Sequence, residues 1–490
     1  MTSTATIRCK DEIGLIRPEL YGHFIEHLGS AIYNGIWVGE DSSIPNIGGL
    51  RKAAVEYLQA LKVPVLRWPG GCFADAYHWR DGIGRKTDRP RRLNLWWDGA
   101  VEDNSFGTHE FMELCKLIRA RPYLAGNLGS GTPAELHDWV EYCNNPFGTT
   151  LADERMANGA PGPFGVRYWG IGNEAWGCGG HLNAEEYCAL YSRFATYVPT
   201  YGDTKPFLIA VGPESNDLEW TQRFFSSLRT TRRYAAPLHG IAMHFYSWGK
   251  SKPTEYTRET LKDQLDRFAD LEKAIIDQRS AIDTFATDPK IGKVGLIIDE
   301  WGTWDVSDEI AEKKFGKFWQ QNTMKDAVAA GLALNVFHRQ CDKLVMCNLA
   351  QTVNVLQALL LTNDDKCLRT PTYYTFLLCL KHRGNTAVNV DHPFPWHLSL
   401  SASRSARDIV VTAINPDPDK AVELTCTVDG PGIAGAIGQM LHHDDWNSCN
   451  AFDAPDTIVP LPVTVKWREH DFTVELPRFT LATLTIQLSV

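Results

Sequence analysis

No stretch of this sequence holds the ~18 consecutive apolar residues that crossing a bilayer demands. The opening MTSTATIRCKDEIG also lacks the apolar core of a signal peptide. The sequence therefore gives no membrane partner, and a cytoplasmic location is expected. Basic residues are in deficit: 49 Lys and Arg stand against 59 Asp and Glu, a net charge of −10. That balance leaves no electrostatic footprint for nucleic acid or an anionic membrane. Cysteine is sparse, with 12 residues in 490 and no CxxC pair. Such usage fits a reducing compartment and mostly buried thiols. There is no HExxH, no metal-ligand spacing of Cys and His, no DxD and no Gly-Lys-Ser phosphate cradle. No metal and no cofactor are expected. Low-complexity tracts and sequence repeats are absent too.

What remains is an ordinary globular composition, 44% hydrophobic and 22% charged, with 16 Trp and 16 Tyr. Flat rings suit sugar faces, although most large aromatics serve the core. Eight short apolar runs end in polar or glycine residues. They are LYGHFIEH from Leu20, VPVLRWPGG from Val63, PYLAGN from Pro122, YWGIGNE from Tyr168, FLIAVGPES from Phe207, IAMHFY from Ile241, VGLIIDE from Val294 and LVMCNLAQ from Leu344. Helical patterns lie between most of them. Thr108 reads as an N-cap, Thr132 as a cap followed by Pro133 with Glu135 closing a capping box, and Asn183 as a third cap. Leu261, Leu265, Phe268 and Ile275 form another apolar stripe. Alternating strands and helices predict an α/β fold, a (β/α)8 TIM barrel over residues 16–383. The rival doubly wound sheet usually carries a glycine-rich loop after its first strand, which YGHFIEHLGS is not.

Beyond about residue 385 the period changes to two. DIVVTAINP, AVELTCTVD, VTVKW, DFTVEL and ATLTIQLSV predict an antiparallel β-sandwich, with Leu484, Ile486, Leu488 and Val490 on one face. The strand-like ATIRC near the start is expected to join it. The second domain is then 1–15 plus 384–490, structural in role.

In a barrel the C-terminal strand ends carry the chemistry. Here they carry Glu26, Arg67, Asn127, Asn173, Glu174, His244, Tyr246, Asp299, Glu300, Asn348 and Gln351. Two glutamates on facing strands four and seven suit glycoside hydrolysis, which needs a proton donor and a second carboxylate at the anomeric carbon. Arg67, placed at a neighbouring strand end, would hold one glutamate ionised. That negative charge and a partly apolar setting would keep the other protonated. Glu300 is thus expected as the nucleophile and Glu174 as the acid/base, with Asn173 on the sugar 2-OH.

The segments GNEAWGCGG and IIDEWGTW resemble the acid/base and nucleophile strands of the barrel glycosidases with catalytic glutamates on strands four and seven. YGHFIEHLG, LRWPGGCFADAYHWRDGIG, EDNSFGTHEFMELC, AGNLGSGTPAE, MHFYSW and NLAQTVNVLQALLLT are similar to the α-L-arabinofuranosidases of glycoside hydrolase family 51 over roughly residues 16 to 380. That resemblance implies a retaining barrel enzyme without metal, often a homohexamer, acting on arabinofuranose-containing oligo- or polysaccharides. It implies sugar-binding roles for Glu26, Arg67, Cys72, Asn173, His244, Tyr246 and Gln351, and places Trp304 on the leaving-group side. Trp96 and Trp97 in RRLNLWWDG read as walls of the subsite beyond the cleaved bond, or as loop packing. Same-mechanism alternatives are an endo-xylanase, an endo-β-1,4-glucanase and a β-xylosidase. The alternative of another class is an inactive carbohydrate-binding protein. His23 and His27 read as structural. Cys72 and Cys178, both in loops at the mouth, are either two buried thiols or a pair close enough to bond.

Overall fold

The computed structural model describes residues 1–228, 235–392 and 398–489. All eight apolar runs become strands of one closed parallel barrel. They are β1 (Gly22–Phe24), β2 (Val65–Trp68), β3 (Arg121–Gly126), β4 (Tyr168–Ile171), β5 (Phe207–Val211), β6 (Gly240–Trp248), β7 (Gly295–Trp304) and β8 (Leu344–Ala350). β8 pairs with β1 and closes the ring, so no edge is left unpaired. Val65, Tyr123, Tyr168, Ile209, Ala242, Ile297 and Met346 fill the barrel floor as a packed cluster.

The surrounding helices start where small polar residues cap them, with local corrections. Thr132 accepts the Glu135 N–H as expected. The Glu135 carboxylate does not complete a capping box but meets His78 Nδ1 at 2.9 Å. Asn183 and Glu186 do form one. The helix Thr108–Ile118 begins after Gly107, and the Thr108 hydroxyl instead accepts the Trp139 indole N–H. The stripe from Leu261 to Ile275 belongs to two helices, Arg258–Asp266 and Phe268–Phe285.

The N- and C-terminal segments build one ten-stranded sheet folded around its own apolar core. Leu484, Ile486 and Leu488 face that core, while Val490 lies outside the described residues. The N-terminal strand Thr2–Leu15 joins this sheet between Thr386–Asp391 and Val422–Asp429. Its pairing with Thr386–Asp391 is antiparallel, but with Val422–Asp429 it is parallel, an exception to the expected pattern. The helix Met324–Arg339 lies between barrel and sheet and is buried on nearly all sides. A Cβ on its Gly331 would stand 2.2 Å from Leu481 Cδ1, so glycine sets the closeness of that approach. Among the described residues no helix is long and apolar enough to cross a membrane.

Candidate active site

Glu174 leaves the end of β4 on a loop that is tied down from β2. Asp75, fully enclosed in the turn Cys72–Ala76, accepts the N–H groups of Leu128 at 2.7 Å, Gly129 at 2.8 Å and Asn173 at 2.8 Å. Glu174 itself has φ +37°, a conformation few non-glycine residues adopt and one that surrounding structure must impose. The loop then folds back so tightly that a Cβ on Gly179 would fall 2.0 Å from the Asn173 carbonyl oxygen. Sequence reading passed over Asp75, whose only signal is an acid inside the aromatic run CFADAYHW. Asp75→Ala strands three N–H donors. It is expected to cost about 3 kcal/mol of stability by urea unfolding and to lower kcat more than it raises KM.

Glu300 comes from β7, and a register shift explains how it shares the mouth with the acid before it. Met243 pairs with Ile298 and His244 pairs with Glu300, so Asp299 is an extra residue bulged out of the ladder. A bulge lets two consecutive side chains reach one face, which strict alternation forbids. Asp299 Oδ2 accepts the Tyr123 hydroxyl at 2.8 Å and lies 3.5 Å from Arg67 Nε. Arg67 NH1 donates to Glu300 Oε1 at 2.6 Å, and NH2 donates to Asn173 Oδ1 at 2.6 Å. Arg67 does not sit on a neighbouring strand, as the sequence reading supposed. Its strand, β2, lies between β1 and β3, and the long side chain spans the barrel to reach Glu300. Burial alone would lower the Arg67 pKa, but Asp299 and Glu300 outweigh it and hold the guanidinium firmly charged. Burial likewise pushes Asp299 up, and Arg67 and His244 bring it below its ordinary value.

His244 links the two glutamates. Its Nδ1 is 2.8 Å from Glu174 Oε1 and 3.5 Å from Glu300 Oε2, and its Nε2 is 3.1 Å from Asp299 Oδ1. Burial opposes charge on the ring, yet Glu300, Asp299 and Glu174 together raise its pKa well above the ordinary histidine value. Tyr246 donates its hydroxyl to Glu300 Oε2 at 2.7 Å. Oxygens of Glu174 and Glu300 lie within 4.8 Å of one another, with the His244 ring nitrogen inside the same radius.

Glu26 closes the other side. Its carboxylate accepts the Phe73 N–H at 3.0 Å, the Trp97 indole N–H at 3.1 Å and the Gln351 amide at 3.3 Å. Gln351 also accepts the Glu26 backbone N–H, so it braces Glu26 at both ends. Burial, reinforced by Glu300, pushes the Glu26 carboxyl up to about 8. Its ordinary value is 4.5, so folding favours the protonated form between the two. The Glu26 contribution to stability is therefore full below about pH 4.5 and is lost as pH rises through about 8. Glu26→Gln is expected to flatten this fall, read as the slope of the urea midpoint against pH.

Trp304 stacks on Trp248 at 4.7 Å and meets Tyr246 and Phe318 edge-on at 5.2 and 5.0 Å. Phe318 continues to Trp97 at 5.7 Å, so one aromatic wall runs along the mouth. Trp97 thus reaches the centre. Trp96 is half-buried, and its N–H donates to Asn94 Oδ1 at 3.3 Å. His23 is buried against Phe376, and burial lowers its pKa to about 3. His27 is structural in a specific way. Its Nδ1 meets Glu102 at 2.6 Å and its Nε2 accepts the Trp68 indole at 3.0 Å. Its carbonyl accepts the amide of Asn94, which in turn accepts the Trp97 N–H, so His27 anchors the loop that carries Trp97. Cys72 and Cys178 are joined in a disulfide beside Glu174.

Comparison with known proteins places this geometry. Residues 57–260 match the model of the α-L-arabinofuranosidase 1 domain, and residues 299–479 match that of the α-L-arabinofuranosidase C-terminal domain. A Bacteroides ovatus protein named an intracellular exo-α-L-arabinofuranosidase is 38% identical, over 99% of this chain and 96% of its own. The solved family 51 arabinofuranosidase from Xanthomonas axonopodis pv. citri superimposes with a TM-score of 0.93 at 33% identity, covering 99% of this chain and all of the other. The Thermotoga maritima α-L-arabinofuranosidase, solved with arabinose, gives 0.88 at 30% identity over the same shares. Similarity of this extent in sequence and in structure means that the chain belongs to the α-L-arabinofuranosidases of glycoside hydrolase family 51.

Proposed function

We propose that this chain is a retaining, exo-acting α-L-arabinofuranosidase that releases terminal arabinofuranose from arabinoxylan- or arabinan-type oligosaccharides. The observation that carries the reading is the placement of Glu174 and Glu300 oxygens within 4.8 Å of each other on facing strands. Retaining glycosidases hold their carboxyl groups about 5–5.5 Å apart, whereas inverting ones leave room for a water between them.

The roles follow from the partners. Arg67 and Tyr246 both donate to Glu300, which orients its carboxylate as the nucleophile. Attack on C1 breaks the glycosidic bond while Glu174 gives its proton to the departing oxygen. Glu174 then takes a proton from water, which attacks C1 and frees Glu300 with net retention. Charged His244 beside Glu174 Oε1 steadies the carboxylate that appears after proton donation. Glu26, Arg67, Cys72, Asn173, His244, Tyr246 and Gln351 grip the sugar. Trp304, Trp96 and Trp97 receive the leaving group. The barrel spans 16–383, and residues 1–15 with 384–490 form a scaffold domain. The enzyme acts inside the cell on imported oligosaccharides as a homo-oligomer of up to six copies. The name of the Bacteroides ovatus relative supports the location.

The test of mechanism is proton NMR of the first product from an aryl α-L-arabinofuranoside. The α-anomer of arabinose is expected before mutarotation; initial β-anomer would refute the retaining reading. Light scattering after size exclusion reads the oligomer.

A further inference from the structure

Both sulfurs of the Cys72–Cys178 pair lie against one oxygen of Glu174. Cys72 Sγ is 3.8 Å and Cys178 Sγ 3.5 Å from Glu174 Oε2. A bonded sulfur carries no proton, so neither contact is a hydrogen bond while the disulfide stands. The Asn173 amide reaches Cys178 Sγ at 3.8 Å from the other side. Cys72, Glu174 and Cys178 are all half-buried, so solutes at the mouth have access to them. Glu174 Oε1, the oxygen facing away from the sulfurs, meets His244 Nδ1 at 2.8 Å.

We propose that the reduced Cys72–Cys178 pair, together with Glu174, is a binding site for a borderline or soft divalent cation of the zinc class, closed to metal while the disulfide is intact. Tetrahedral zinc with bonds of about 2.3 Å to sulfur and about 2.1 Å to oxygen sets each sulfur roughly 3.6 Å from the carboxylate oxygen. The two sulfurs already stand at 3.5 and 3.8 Å from Oε2. Binding then requires only that the sulfurs part from each other, to about 3.8 Å, by side-chain rotation. Their Cα atoms, 5.5 Å apart, can stay in place. Water takes the fourth position. Two thiolates select zinc or cadmium over magnesium or calcium, which prefer oxygen ligands throughout.

The chemistry closes in two steps. A small dithiol supplies two electrons: one of its thiolates attacks a protein sulfur, and its second thiol resolves the mixed disulfide. The protein keeps two thiols and the reductant leaves as a cyclic disulfide. The cation then displaces both thiol protons and the proton of Glu174, all of which pass to solvent, and takes the Glu174 carboxylate as its third ligand. Bound in this way, Glu174 has no proton to give. The consequence for turnover rests on the acid/base role proposed above; the binding itself does not.

The test compares the whole protein in two redox states. One sample is treated with dithiothreitol and desalted without oxygen, the other is left oxidised, and both are titrated with Co2+ as a spectroscopic stand-in. The reduced protein is expected to take one equivalent with a thiolate-to-cobalt charge-transfer band that Zn2+ abolishes. The oxidised protein and reduced Cys178→Ala are expected to give no such band. Stoichiometric Zn2+ is expected to lower kcat of the reduced enzyme at least about tenfold, with recovery on adding a chelator and little effect on the oxidised enzyme. Absence of a thiolate band in the reduced wild type, or an equal band in Cys178→Ala, would overturn the site. The wild-type comparison stands even if the variant does not fold. A thiolate band with undiminished turnover would overturn Glu174 as the third ligand if Glu174→Ala lowers kcat; if Glu174→Ala is equally harmless, the acid/base role falls instead.

Discussion

Replacing Glu300 with alanine is expected to abolish turnover, by at least about 10⁴-fold in kcat on every substrate. In the proposed mechanism Glu300 is the carboxylate that bonds C1. Asp299, the nearest acid in sequence, is already engaged by Tyr123, Arg67 and His244. The loss should not depend on the leaving group, because bond formation at C1 fails whatever departs. The fold should survive, since Arg67 keeps Asp299 and Asn173 as partners. Steady-state kinetics on aryl and natural arabinofuranosides, with a melting curve as the folding control, reads the outcome. Retention of more than a hundredth of the activity would exclude Glu300 as the nucleophile.

Glu174→Ala should behave differently. General acid catalysis is worth about 10²–10⁴-fold, so oligosaccharides with poor leaving groups should lose that much. Aryl substrates with acidic phenols need no proton and should still glycosylate Glu300. The intermediate then accumulates, because no base activates water. Azide, which needs no base, should restore turnover and give the arabinosyl azide of retained configuration. If azide instead rescued only the Glu300 variant, with inverted product, the two roles would be exchanged. Metal-free, oxidised enzyme is the proper reference for both variants, because the sulfur pair lies against Glu174.

The strand count, the closed barrel and the positions of Glu174 and Glu300 were legible because each depends on short-range pattern. An apolar run ending in Asn-Glu or Asp-Glu marks a strand end, and strand ends define the mouth. The electrostatics beneath were less legible. Alternation with period two sends Asp299 and Glu300 to opposite faces, and only the register shift against β6 brings both inward. Arg67 was rightly matched with Glu300, yet its path across the barrel depends on closure, which no local pattern encodes. Asp75 escaped notice because its three partners come from the loops after β3 and β4, up to 98 residues away. His27 looked like one of many histidines, and its hold on the Trp97 loop goes through Asn94, 67 residues on. The disulfide likewise joins loops 106 residues apart. In each case the missing information is long-range.

The N-terminal strand carries a consequence for how the chain is made. Thr2–Leu15 precedes the barrel in the chain, but both of its partners, Thr386–Asp391 and Val422–Asp429, are translated only after the whole barrel. Throughout that interval Ala5, Ile7 and Cys9, which end up enclosed in the sheet core, have no core to enter. The nascent chain must therefore carry an unpaired apolar edge past a folding barrel, open to chaperones and to the matching strand of any neighbouring nascent copy. Closure of the sheet then follows the barrel and joins segments that lie on either side of it in the chain.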